Sequence, residues 1–198
     1  MRTFSEMCAA DMDRALALAM SHKEPWRKCQ LLAHVAWHTS NRKQFERLIK
    51  NALAAAHALN DPNRTVTVAS WPVRAIAERP ETDLTEIITE LVDLIDREPK
   101  AVCRADALIM LFEAAYKKHS VRSIILPPLL DACRKSYSWK KQRLLKYLAL
   151  ILAIDDLPAS AEVVELIEDQ RIRRQTERLI AEKKWLGPHE FFPNYAKP

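Results

Sequence analysis

The chain has 198 residues, 48% of them hydrophobic and 29% charged, and its formal net charge is +5 at pH 7. This is the composition of a soluble globular protein and excludes a disordered chain. The sequence contains one glycine and neither Asn-Gly nor Asp-Gly, which argues against β-hairpins and predicts an all-α fold. A single glycine also excludes the glycine-rich loops with which common nucleotide-binding enzymes hold phosphates.

Three helices are predicted in the first part of the chain. The first follows Thr3 and Glu6, which have the spacing of a capping box, and extends to about residue 20. The second spans about residues 25–38, and a third that begins near Asn41 forms a hairpin with it.

Seven further helices complete the predicted order. They lie at about residues 62–79, 82–97, 99–118, 120–133, 138–154, 159–168 and 170–186. Proline lies inside two of them, so a kink is predicted at Pro72 and a bend at Pro127 and Pro128, because each proline removes a backbone hydrogen bond.

A dipeptide of an acidic residue and proline recurs at a fixed interval, as Glu24-Pro25, Asp61-Pro62 and Glu98-Pro99, with prolines 37 residues apart. The helix dipole favours an acid at a helix start, and proline in the first turn has no N–H to leave unpaired. A constant period with helices between predicts stacked helical repeats. We therefore expect one domain, residues 1–187, of about five antiparallel helix hairpins with a 37-residue period.

The alternation of a helix containing Leu126-Pro127-Pro128-Leu129-Leu130 with one that opens on Asp/Glu-Pro resembles HEAT repeats. In that family the first helix often carries a proline among leucines and the second often opens with Asp-Pro. Arg104 also matches the arginine that the family has a few residues into its second helix. The resemblance implies a right-handed α-solenoid whose concave surface is formed mainly by the second helices and binds proteins or nucleic acid.

The first functional hypothesis is a non-enzymatic scaffold protein that binds a protein or peptide along this concave surface. The repeat register predicts partner-binding residues at Trp26, Trp37, Arg74 and Arg104. The sequence has no G-x-S-x-G elbow and no nucleophile with a paired base, so we expect no catalytic residues and no cofactor. An enzyme whose site is assembled from separated residues stays the less favoured alternative.

The alternative hypothesis, nucleic-acid binding, comes from the charge distribution. Residues 1–99 hold 13 lysines and arginines against 14 acids, whereas residues 100–198 hold 18 against 12. Tyr137 and Trp139 lie among the basic residues and are candidates for base stacking. The opposing interpretation is a solvated convex face with the aromatic residues in the core. The predicted nucleic-acid-binding residues are Arg134, Lys135, Lys140, Lys141, Arg143, Lys146, Arg171, Arg173, Arg174 and Arg178.

His34 and His38 have the i, i+4 spacing that can place two imidazoles on one metal. One repeat later their positions are Trp71 and Ala75, so we interpret the pair as packed or as part of an interface, and we expect no metal. The cysteines show no C-x-x-C pairing and are interpreted as buried thiols: Cys8, Cys29, Cys103 and Cys133.

No N-terminal apolar run resembles a signal peptide and no run is long enough to span a membrane, so a cytoplasmic location is expected. The tail, residues 188–198, contains Phe191, Phe192 and Tyr195 and is predicted to pack on the last hairpin. The alternative is that the tail docks into another protein.

Overall fold

The computed structural model describes residues 4–136 and 139–183, and every regular element in these ranges is an α-helix. The predicted all-α fold is therefore confirmed. The helices are α1 (Phe4–Ala10), α2 (Met12–Ser21), α3 (Pro25–His38), α4 (Arg42–His57), α5 (Pro62–Ala77), α6 (Thr85–Ile95), α7 (Ala101–Ala115), α8 (His119–Lys135), α9 (Lys140–Leu152), α10 (Leu157–Glu165) and α11 (Gln170–Ala181).

The recurring dipeptides lie at or near helix starts. Pro25 and Pro62 are the first residues of α3 and α5, and the Asp61 carboxylate accepts a 2.7 Å hydrogen bond from the Arg64 N–H. In the third unit the helix begins two residues after Pro99, and Glu98 accepts from the Lys100 N–H at 3.0 Å. The acid therefore caps the helix in one of the three units, and in the third unit it accepts a hydrogen bond within the turn that precedes α7.

The prediction of one N-terminal helix is wrong, because α1 and α2 are separated at Asp11. The Asp11 carboxylate accepts from the Arg14 N–H at 3.0 Å and so begins a new helix. Two other helices continue through proline: α5 passes Pro72, and α8 passes Pro127 and Pro128. The predicted cap residue Thr3, the last residues of the predicted final helix and the whole predicted tail lie outside the described residues.

The helices pack in two layers. In one layer α3, α5, α7, α9 and α11 each contact the next, and we call these five the odd-numbered row. In the other layer α4 packs on α3 and α5, α6 on α5, α8 on α7, and α10 on α9. Helices α1 and α2 both pack on α3 and cover that end of the row.

The core lies between the two layers and contains most of the large apolar side chains. Cys8, Cys29 and Cys133 are buried in it as free thiols, and Cys103 is half-buried. Burial raises the pKa of Cys8 to about 11 and the pKa of Cys29 and Cys133 to about 12. The predicted role as buried thiols is therefore confirmed for three of the four.

Candidate nucleic-acid interface

Helices α9 and α11 form the basic end of the odd-numbered row. Helix α11 begins at Asp169, whose carboxylate accepts from the backbone N–H groups of Arg171 and Ile172 at 2.9 and 3.0 Å. Thr176 is fully buried and its hydroxyl donates to the Ile172 carbonyl at 2.8 Å. Helix α11 packs on α9, and its residues Arg171, Arg174 and Arg178 are exposed to solvent.

Two adjoining cavities lie along these helices. The first has a volume of about 440 Å³ and is lined by Arg143, Lys146, Tyr147, Leu150, Asp169, Arg171, Ile172 and Gln175. The second has a volume of about 680 Å³ and is lined by Gln170, Arg171, Arg174, Gln175 and Arg178. Arg171 and Gln175 line both cavities, so the two lie side by side along α11.

Five of the predicted nucleic-acid-binding residues line these cavities: Arg143, Lys146, Arg171, Arg174 and Arg178. We call these five residues the basic groove. Among the described residues that line it, Asp169 is the one acid, and its carboxylate is occupied as the cap of α11. Lys146 donates to Gln175 at 3.1 Å. The groove therefore concentrates positive charge with little internal compensation.

The other five predicted residues are not brought into the groove. Four form ion pairs with acids: Lys135 with Asp131 (2.8 Å), Lys140 with Asp106 (3.6 Å), Lys141 with Glu168 (2.7 Å), and Arg173 with Glu165 and Glu177.

Arg134 lines a separate cavity of about 220 Å³ that also contains Glu165 and Glu168. The basic stretch around residues 134–146 contains no acid in sequence, but other helices and turns supply acids to it. The surface on which cations without an ion pair among the described residues lie together is thus smaller than the basic surface that the sequence predicted.

Trp139 lies directly before α9 and is 68% exposed. The guanidinium carbon of Arg143 is 5.8 Å from the centroid of its ring, which is a cation–π distance. The interpretation that placed this aromatic residue in the core is therefore wrong. Tyr137, the other predicted stacking residue, lies outside the described residues.

A buried network joins four helices of the odd-numbered row, and we define it as Trp37, Arg74, Glu113 and Tyr147. The Glu113 side chain is fully buried. Its Oε2 accepts from the Tyr147 hydroxyl at 2.7 Å, and its Oε1 is 3.8 Å from Nη1 of Arg74. The Arg74 guanidinium lies 5.9 Å from the Trp37 ring centroid. This arrangement compensates a buried carboxylate, which would otherwise be strongly destabilising.

Sequence reasoning did not find Glu113 or Tyr147. The signal was present for Glu113, because it is a charged residue in the otherwise apolar run Ala107 to Ala115. A charge in the middle of an apolar helix face requires a partner. No comparable signal identified Tyr147, which lies 34 positions later.

The predicted partner-binding residues are distributed over different environments. Trp37 and Arg74 are brought together in the buried network, and Nη1 of Arg104 donates to the Glu98 carbonyl at 2.6 Å. Trp26 is 37% exposed and has the Arg27 guanidinium 5.7 Å from its ring centroid. Of the four, Trp26 presents the largest accessible apolar surface.

The histidine pair is packed against α1. The His34 ring lies 5.7 Å from Phe4 and 5.5 Å from Trp71, and Nε2 of His38 is 3.1 Å from the Ser5 hydroxyl. Burial lowers the pKa of His34 to about 4, with smaller contributions from the charges of His38 and Arg27. Burial also lowers the pKa of His38. The predicted packing role of the pair is confirmed.

Within the described residues, no group of three or more His, Cys, Asp or Glu side chains could hold a metal ion. None of the described helices has both the length and the apolar character that crossing a membrane requires. Comparison of the chain with protein-family models, with curated proteins and with solved structures found no match.

Proposed function

We propose that the chain is a HEAT-like α-solenoid that binds nucleic acid through the basic groove. The solenoid part of the proposal is supported by the consecutive contacts along the odd-numbered row and by the 37-residue spacing of Pro25, Pro62 and Pro99. The observation that carries the functional part is the concentration of five cations around two neighbouring cavities, next to an exposed tryptophan.

The arginines of α11 are spaced for contact with an extended polyanion. Arg171, Arg174 and Arg178 follow at i, i+3 and i+7, which places them on one side of the helix over a length of roughly 10 Å. All three are exposed. Guanidinium groups bind phosphate oxygens through two parallel hydrogen bonds. A row of this kind is suited to neighbouring phosphates of one backbone.

The proposal makes a quantitative statement about salt. If all five groove cations contact phosphates, the slope of log affinity against log salt is roughly −3.5 for a single strand and roughly −4.5 for a duplex. Binding is measured by fluorescence anisotropy of labelled oligonucleotides, DNA and RNA, single-stranded and duplex, across a salt series. Absence of binding to every oligonucleotide at low salt would overturn the proposal.

A matched pair of variants separates the groove from net charge. R171Q/R174Q removes two groove cations, and K135Q/K140Q removes two exposed cations that are paired with Asp131 and Asp106. Both variants lower the net charge equally. We expect R171Q/R174Q to bind about tenfold more weakly with a shallower salt slope, and K135Q/K140Q to stay close to the wild type. Equal losses would show that overall charge, and not the groove, attracts the ligand.

Binding of a protein or peptide is the second candidate function, and the exposed Trp26 is the observation that favours it. Tryptophan is enriched at the energetic centres of protein interfaces. Trp37, Arg74 and Arg104 each already contact other parts of the chain, so they contribute less accessible surface. A partner that is retained at high salt and lost with W26A would support this candidate, whereas retention of the partner by W26A would count against it.

A further inference from the structure

We infer that the ligand of the basic groove is single-stranded nucleic acid, with an unpaired base stacked on Trp139. This inference rests on the proposed function and specifies its substrate class.

The first step is the exposure of the indole. Trp139 is the most exposed large hydrophobic side chain of the described residues. Aromatic side chains next to positively charged grooves serve as stacking platforms for the bases of single strands. In a duplex the base faces are covered by neighbouring base pairs, so an indole at the surface of a protein can stack only on an unpaired base.

The second step is the continuity of Trp139 with the groove. Arg143 lies against the Trp139 ring and also lines the 440 Å³ cavity. One side chain therefore contacts both the stacking platform and the phosphate-binding surface. A base on Trp139 and a phosphate at Arg143 would belong to neighbouring nucleotides of one strand.

The third step is the shape of the first cavity. Its volume lies within the range of roughly 300 to 1,000 Å³ that holds small ligands. Its wall combines the cations with apolar surface from Leu150 and Ile172 and with Tyr147. Such a recess accommodates a single nucleotide unit, whereas the phosphates of a duplex lie on the outside of a wide cylinder whose bases are inaccessible.

The test uses the full chain and two tryptophan variants. Affinities of wild type, W139A and W26A are measured by anisotropy for a labelled single strand and for its duplex at one salt concentration. We expect the single strand to bind at least about tenfold more tightly than the duplex, and W139A to weaken single-strand binding about 5- to 150-fold.

Two controls make the result specific. W26A removes the other exposed tryptophan of the described residues, which is remote in sequence from the groove, and should leave both affinities unchanged. W139A should leave the duplex affinity and the salt slope unchanged, because it removes no cation. Far-UV circular dichroism checks that both variants are folded. Parallel DNA and RNA strands of one sequence show which sugar the groove prefers.

The outcomes separate the inference from the function on which it rests. If the wild type binds no oligonucleotide, both the inference and the proposed function are overturned. Equal binding of single strand and duplex, with no effect of W139A, overturns the inference and leaves nucleic-acid binding in place. Strand preference with the W139A loss, and W26A unchanged, supports both.

Discussion

The buried network and the basic groove lie on the same row of helices and use the same residue types in opposite ways. In the network, the Arg74 guanidinium faces a buried carboxylate and a tryptophan ring, and the contacts join α3, α5, α7 and α9. In the groove, arginines line open cavities. The one acid among the described lining residues is Asp169, whose carboxylate caps α11. Where the chain supplies its own acid, the cation stabilises the fold; where it does not, the cation is available to a ligand.

The most severe test of this contrast is removal of the buried acid. E113A removes the carboxylate that the Arg74 guanidinium and the Tyr147 hydroxyl contact in the core. Removing one member of a buried pair costs about 3 to 5 kcal/mol, and we expect a decrease of this size in the free energy of unfolding by urea.

The control for E113A is R42A, which breaks the exposed pair between Arg42 and Glu46 (2.9 Å). Exposed pairs contribute between about 0 and 1 kcal/mol, so R42A should be close to the wild type. A change below about 1 kcal/mol for E113A would mean that Glu113 is not a structural partner of Arg74.

The next largest effect on the free energy of unfolding is expected from the protonation of His34 as the pH is lowered. Its pKa falls from 6.5 to about 4 on folding because it is buried, so the unfolded chain takes up the proton first as pH falls. Stability is therefore full above pH 6.5 and is lost progressively down to about pH 4. Between pH 7 and pH 5 the loss from this residue is about 2 kcal/mol.

The contribution of His34 is isolated with H34F, since phenylalanine suits a position between Phe4 and Trp71. Urea unfolding at pH 7 and pH 5 is compared for wild type and variant. H34F should lose distinctly less stability over this interval. The same pH dependence in both proteins would assign the effect to other groups.

A smaller effect is expected at Asp155. Its carboxylate accepts two 2.8 Å hydrogen bonds from Arg122, which lower its pKa, and Arg122 is buried and also donates to the Tyr116 carbonyl. A lowered pKa means that the contribution is present above the ordinary value near 4 and is lost as the carboxylate is protonated below it.

D155N should therefore cost about 1 to 2 kcal/mol at pH 7 and much less at pH 3. Both values are obtained from denaturant unfolding. An equal cost at the two pH values would indicate lost packing and not lost charge.

The smallest effect on the free energy of unfolding is expected for substitutions in the groove itself. Arg171 and Arg174 are exposed, and neither forms an ion pair with an acid of the described residues. R171Q/R174Q should change the free energy of unfolding by less than about 0.5 kcal/mol while weakening nucleic-acid binding. A large loss of stability in this variant would remove the distinction between the two regions.

The sequence predicted those features that depend on local chemistry. Helices α3 and α5 begin at Pro25 and Pro62, and the residues that determine these starts lie within one helical turn of each proline. The division at Asp11 was missed although it is also local, because Met7, Ala10, Ala15 and Leu18 continue a helical apolar pattern across it. A capping carboxylate then competes with the continuous helix and prevails.

Features that depend on distant partners could not be predicted from the sequence. Lys140 and Lys141 belong to a basic stretch, yet Asp106 and Glu168 approach them from 34 positions before and 27 positions after. The positive surface predicted from this acid-free stretch was therefore too large. The sequence showed the arginines of α11 as a basic cluster, but the position of Arg171 beside Arg143 in the first cavity depends on the packing of α11 on α9.

Tyr147 belongs to both regions, since its hydroxyl donates to Glu113 in the core and its side chain lines the first cavity. Thermodynamic linkage is reciprocal: if the Glu113 carboxylate changes the affinity of the groove for a ligand by some factor, the ligand changes the free energy of the Glu113 contact by the same factor. If such coupling is present, Tyr147 is the described residue that contacts both the Glu113 carboxylate and the first cavity.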